Sequence, residues 1–263
     1  MDSFTEKENY CYADLLNIMQ ILRKECMWDK EQTHKSIRRN FIEETYEAVE
    51  AIDDENTELL KEELGDVLLQ VVFHAEIERE KGSFDMEDVC DGICKKLIYR
   101  HPHIFKDTVV HSTEEVLSNW DALKKTEKKQ KSVSDGLYSV AKSLPGLIRA
   151  EKVQAKAAKA GFDWENVSGA MQKIEEETKE LQEAITKGDR IEEEMGDLLF
   201  SVVNVSRFVQ VDSEQAIEKA TEKFIRRFEG VEQAVRRQGK ELMDLSLAEL
   251  DAIWEMTKEW DKR

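Results

Sequence analysis

Two carboxylate motifs carry the strongest chemical signal in this chain. Glu176, Glu177 and Glu180 form an EExxE run, and Glu194 and Asp197 follow as ExxD immediately before the apolar stretch LLFSVVNV. Glu177 comes three residues after Ile174 and four before Leu181, so it borders the apolar stripe of its helix, with Glu180 one turn onward on the same side. Four carboxylates are thereby aimed into the gap between two helices. Clustered like charges raise one another's pKa, and a buried ion without a partner is costly. A divalent cation removes the conflict. An all-oxygen set without histidine suits a hard ion, Mg²⁺ with Mn²⁺ as a possible substitute, so the expected ligands are Glu177, Glu180, Glu194 and Asp197.

The same arrangement occurs earlier in the chain. FIEETYEAVEAI and KEELGDVLLQVVF align with KIEEETKELQEAI and EEEMGDLLFSVVNV, which sets Glu44, Glu47, Glu63 and Asp66 opposite Glu177, Glu180, Glu194 and Asp197. A lone EExxE in a chain with 57 acidic residues is commonly a solvated helix face. The pairing with ExxD, the apolar helix that follows and the repetition together favour a site, with a second possible metal site in the first copy. His74, two turns beyond Asp66, reads as an ordinary helix-face histidine, and the Glu-x-x-His pairs of di-iron bundles are missing.

Basic residues recur behind each acidic pair. Lys223 and Arg227 lie four apart on one helix face beside Arg226, and they align with Lys96 and Arg100 in the first copy. They read either as surface charges pairing with Glu222 or Glu229, or as a grip on phosphate oxygens, which the recurrence favours. Trp254 and Lys258 share a face near the C-terminus and read evenly as core packing or as nucleotide contact.

The elements that must position these groups are helices. The chain is 37% charged and 40% hydrophobic with only two prolines and 11 glycines among 263 residues, a composition that suits amphipathic helices. Met171, Ile174, Thr178, Leu181 and Ile185 mark one helical face, as do Phe41, Thr45, Ala48 and Ile52. VLLQVVF and LLFSVVNV are apolar nearly all round, which predicts helices packed on several sides. Further helices are expected over about 12–25 and about 145–160, the latter opened by Pro145 and stopped by Gly161. The expected fold is all-α. Two tandem bundles of about four helices each are predicted at 1–110 and 141–263, joined by a polar, Lys-rich, partly helical connector at 111–140.

Charge and composition also exclude classes of function. With 39 Lys and Arg against 57 Asp and Glu, the net charge of −18 repels a nucleic-acid polymer, while a small polyphosphate can still bind where a metal and local cations reverse the field. No basic leader and no run of roughly 18–20 apolar residues is present, so the protein is expected in the cytoplasm and off the membrane. The four cysteines, Cys11, Cys26, Cys90 and Cys94, read as reduced thiols.

At these residues the chain resembles the MazG family of the all-α nucleoside triphosphate pyrophosphohydrolase superfamily. The motifs are WDKEQTH at 28–34, EETYE at 43–47, ELGD at 63–66, RHPHIF at 100–105, GFDW at 161–164, EEMGDLLF at 193–200 and KFIRRF at 223–228. The resemblance implies hydrolysis of an NTP or dNTP between the α and β phosphates, giving NMP and pyrophosphate, and assembly as a homodimer. It also implies that Glu177, Glu180, Glu194 and Asp197 hold Mg²⁺, with Glu176 a further member of EExxE. Lys223, Arg227, Trp254 and Lys258 match positions that meet substrate, with Arg226 beside them. The first copy departs from the pattern, with Tyr99 aligned to Arg226 and His101-Pro102 interrupting the helix, so the second copy is the expected catalytic one. Met27 stands where many relatives carry proline. The expected mechanism is in-line attack of water at the α-phosphorus, with Glu176 orienting the water and Lys223 and Arg227 neutralising the departing pyrophosphate. No P-loop is present. A rival reading is a helical regulatory or partner-binding protein with a structural metal site.

Overall fold

Helix starts are set by short polar side chains that satisfy the free N–H groups of the first turn. Asn56 accepts from the Leu59 amide at 3.2 Å, Asp85 from those of Glu87 and Asp88, and Asp212 from those of Glu214 and Gln215. The computed structural model describes residues 5–106, 108, 110, 112–127 and 132–260. Among these every regular element is helical, and no helix is long and apolar enough to cross a membrane.

The chain divides into two compact units, Met1–Lys124 and Lys125–Arg263. The first contains α1 (Tyr12–Glu25), α2 (Arg38–Asp53), α3 (Thr57–Glu80), α4 (Met86–Arg100), the short α5 (Pro102–Phe105) and most of α6 (Thr113–Glu127). Helix α3 is its centre and packs on α1, α2 and α4. Met19, Ile37, Val72, Phe73 and Ile77 form its core. Arg23 locks α1 to α3. Its guanidinium donates to both Glu80 oxygens, at 2.7 and 2.5 Å, and to the carbonyls of Asp29 and Gln32, which secures the loop before α2.

The second unit contains the short α7 (Val133–Tyr138), then α8 (Gly146–Lys159), α9 (Val167–Lys187), α10 (Ile191–Phe208), α11 (Ser213–Arg237) and α12 (Leu247–Trp260). Among its described residues it has five long helices where about four were expected. Helix α10 packs on α9 and α8, and α11 on α12 and α8. Val231, Val235 and Ile253 join α11 to α12, with Trp254 partly buried against them.

The expectation that LLFSVVNV is buried on several sides does not hold within one chain. Ile191, Met195, Leu199 and Val202 repeat along one face of α10 and are between 41% and 50% exposed. Ile217, Phe224 and Phe228 on α11 and Leu64 and Leu68 on α3 are also exposed. An apolar residue all round a helix requires apolar neighbours all round it, and here the chain supplies them on one side only.

Candidate metal centre

The turn between α9 and α10 decides where the acidic groups meet. Gly188, at φ +70°, ends α9 in the left-handed conformation, and Arg190 repeats that conformation at φ +54° before α10 begins. A left-handed glycine costs nothing, whereas a left-handed residue with a Cβ is uncommon. The chain thus reverses within three residues and lays α9 and α10 side by side.

Glu177 from α9 and Glu194 and Asp197 from α10 meet in this gap, with one oxygen of each within 4.8 Å of the others. Glu177 and Glu194 are each only 4% exposed, while Asp197 is open to solvent. Burial pushes the Glu194 carboxyl above its ordinary range, opposed by Arg190 and reinforced by Glu180, Glu193 and Asp197. Glu180 is exposed and acts on this group through its charge; it lies outside the three-residue cluster. Among the described residues no histidine joins either acidic cluster. His74 instead faces His34, Nδ1 to Nδ1 at 2.7 Å, and His34 Nε2 lies 2.5 Å from Glu78 Oε1.

The donor set fits a hard divalent cation on an observation independent of its sequence pattern. Glu177 Oε2 is buried and has no hydrogen-bond partner. An acceptor in that state costs about 1–3 kcal/mol or more, and a cation beside it would remove the cost.

Two cations at the site were not anticipated. Lys173 Nζ donates to Glu177 Oε1 at 2.7 Å and to Glu176 Oε1 at 3.0 Å, and these two carboxylates raise its pKa. Arg190 Nη1 lies 3.3 Å from Glu194 Oε1. Both stand four residues before the acid that they meet, a signal available from helix spacing but lost among the many charged pairs of this chain. Glu176 itself is exposed and paired with Lys173.

The other predicted residues sit on the α11–α12 pair. Lys223 and Arg226 are exposed and Arg227 is half-buried. Trp254 packs its ring 5.1 Å from that of Phe224, and Lys258 pairs with Glu255. Trp254 is therefore part of the core on one side and accessible on the other.

The first unit repeats the acidic geometry in looser form. Glu44, Glu63 and Asp66 approach within 4.8 Å, all half-buried, and Glu47 hydrogen-bonds Glu44. Burial and the neighbouring carboxylates raise the pKa of both Glu44 and Glu63.

The sequence matches the MazG nucleotide pyrophosphohydrolase domain at residues 32–105 and 165–231, which span both acidic helix pairs. The chain belongs to the MazG family. The nucleoside triphosphate pyrophosphohydrolase/pyrophosphatase MazG of Thermotoga maritima is 46% identical over 253 residues, covering 95% of this chain and 97% of that protein. The nucleoside triphosphate pyrophosphohydrolase of Escherichia coli K12 is 42% identical over 251 residues, covering 93% and 95%. The MazG domain thus occurs twice in this chain, once in each compact unit.

The raised carboxyls have a measurable consequence without metal. Glu44, Glu63 and Glu194 bind protons more tightly when folded than when unfolded. Their contribution to stability is therefore present below the ordinary glutamate value of 4.5 and is lost as the pH rises through their folded values. His74, whose pKa burial lowers, acts in the opposite sense nearby. A variant carrying Glu44→Gln, Glu63→Gln and Glu194→Gln should remove the carboxyl contribution alone. In EDTA, the thermal midpoint of the parent should fall relative to that variant as the pH is raised above 4.5. Parallel pH profiles would show that the carboxyls are not crowded.

Proposed function

We propose that the C-terminal unit hydrolyses nucleoside triphosphates, NTP or dNTP, between the α and β phosphates with Mg²⁺, giving NMP and pyrophosphate. The observation that carries this reading is the meeting of Glu177, Glu194 and Asp197 around a buried Glu177 oxygen that lacks a partner. The two relatives named as nucleoside triphosphate pyrophosphohydrolases, matched along almost their whole length, supply the reaction.

In this reading Glu177, Glu194 and Asp197, with Glu180 beside them, hold the cation. Bound Mg²⁺ supplies neutralisation of the triphosphate and an acidified water for attack at the α-phosphorus, with Mn²⁺ a possible substitute. Glu176 orients that water. Lys173 and Arg190, which pair with Glu177 and Glu194, would lie beside a triphosphate held at these carboxylates and would contact its oxygens. Lys223 and Arg227, with Arg226 adjacent, neutralise charge on the departing pyrophosphate, and the accessible face of Trp254 meets the base with Lys258 beside it. The reaction belongs in the cytoplasm, where nucleotide and Mg²⁺ are both abundant. Incubating the full chain with Mg²⁺ and a panel of NTPs and dNTPs should yield equimolar NMP and pyrophosphate. Release of inorganic phosphate, or of nothing, would reject the reaction, and the second outcome would favour a regulatory or partner-binding protein.

We further propose that the working form is a homodimer whose contact includes the exposed apolar stripes of α10 and α11. Burying each Leu- or Phe-sized side chain contributes about 1.5–3 kcal/mol relative to leaving it in water, and a second copy presents a matching stripe. Sedimentation at micromolar concentration should give the mass of two chains. Leu199→Glu with Val202→Glu should give one. A parent chain that sediments as a single copy would contradict this assembly.

A further inference from the structure

The segment WDKEQTH at 28–34 takes no part in either acidic cluster, yet a polar network fixes it. It lies in the loop 26–37 between α1 and α2. Gln32 Nε2 donates to the Trp28 carbonyl at 2.9 Å, and Ser36 Oγ donates to Gln32 Oε1 at 2.8 Å, so the loop is braced internally. From α1, Arg23 holds the carbonyls of Asp29 and Gln32. His34 makes the contact with α3, through the His74 ring and the Glu78 carboxylate.

The hydrogens in that contact can be counted. Lys81, His34 and Ser83 hold the Glu78 carboxyl well below its ordinary value, at about 2, so it is ionised and accepts. His34 Nε2 therefore carries a hydrogen. The Nδ1 atoms of His34 and His74 are 2.7 Å apart, with the ring planes within 10° of parallel, and that separation has room for one hydrogen between them. A charged imidazole carries hydrogen on both nitrogens, so two charged rings would set N–H against N–H. The closed pair accordingly holds at most one positive charge, whereas two separated histidines hold two in acid.

The surroundings add no charge that would relieve this limit. Helix α1 brings Arg23, engaged with Glu80; α2 brings the Phe41 ring, 5.6 Å from that of His74; and α4 brings the apolar Met86 to the core. The charge that acts on His74 is that of His34, and burial lowers the His74 pKa further. Stability from the contact is therefore present above the ordinary histidine value of 6.5 and is lost as the pH falls through the folded value.

The second unit ties the loop before α9 to α10 by other means. Arg207 donates to Asp163 and, at 2.9 Å, to Asn204 Oδ1. Guanidinium and carboxylate keep their charges across the range in which histidine titrates. Val205 stands where the first copy has His74, counted from the aligned Asp197 and Asp66.

We propose that the His34–His74 pair is a proton-operated clasp, which fixes the loop 26–37 on α3 while the rings share one hydrogen and releases it when both are protonated. The loop leads into α2, which carries Glu44 and Glu47, so acidification loosens the N-terminal unit and leaves the C-terminal unit as it is.

Amide exchange of the full chain from about pH 7.5 to about pH 5.5, either side of the ordinary histidine value, tests it. The Ser36 and Ile37 amides both donate to the Thr33 carbonyl. After correction for the intrinsic rate, their protection should fall by about tenfold per pH unit below 6.5, since opening takes up one proton. The Phe162 amide, which donates to the Ala157 carbonyl in the second unit, should keep its protection. A glutamine at 74 can donate to His34 Nδ1 or accept from it, so His74→Gln should abolish the fall. Ring resonances of the unaltered chain give a measurement that needs no variant to fold. The pair should take up its two protons in steps separated by about a pH unit or more. Protection of Ser36 and Ile37 that is the same at both ends of the range, or that falls equally in His74→Gln, would overturn the clasp. So would two rings that titrate together at 6.5, or an equal fall at Phe162, which would mark general loosening in acid.

Discussion

Replacing Glu194 by Gln is expected to lower pyrophosphate release by about 10²-fold or more, the scale seen when preorganised charge stabilisation is removed from a phosphoryl-transfer site. The substitution is nearly isosteric and sits at a carboxyl that is 4% exposed, so helix packing is retained. Its effect on stability should have the opposite sign to its effect on rate. In EDTA the parent chain buries Glu194 near Glu180, Glu193 and Asp197, with Arg190 as an opposing charge. Glutamine removes that repulsion, and the thermal midpoint in EDTA should rise. Turnover within threefold of the parent would remove Glu194 from the site. A fall in the midpoint would mean that the carboxylate is held by favourable contacts rather than crowded.

Chelation should have the second largest effect. EDTA is expected to bring turnover to background, and added Mg²⁺ to restore it fully. Unlike Glu194→Gln, chelation leaves the crowded carboxylates in place, so the parent should unfold at lower temperature in EDTA than in excess Mg²⁺. Loss of activity then accompanies loss of stability in one experiment and gain of stability in the other. A purely structural role for the acidic helices would not separate the two. Activity that persists in EDTA would refute the role of the cation.

Much of this was legible in the sequence because helix periodicity is local. The helices expected over about 12–25 and 145–160 run Tyr12–Glu25 and Gly146–Lys159, and Gly161 does end the second in the left-handed region at φ +91°. Spacing placed Glu177, Glu180, Glu194 and Asp197 along one gap, since residues three and four apart share a face and a short turn makes the helices neighbours; three of them, without Glu180, come within 4.8 Å. Three features were not legible. Lys173 and Arg190 have the spacing of any surface ion pair, and only the burial of their partners distinguishes them. The open apolar face of α10 depends on what the rest of the chain fails to cover, which periodicity does not encode. The Lys-rich composition around α6, which reads as a partly helical connector, hid that Trp120 keeps the register of Trp254.

The cation site itself can be seen directly by anomalous scattering from crystals of the full chain grown with Mn²⁺. A peak bounded by the carboxylates of Glu177, Glu194 and Asp197, absent from crystals of Glu194→Gln, is the predicted result. Density for Mn²⁺ elsewhere in the C-terminal unit, with those three side chains paired only to Lys173 and Arg190, would contradict it.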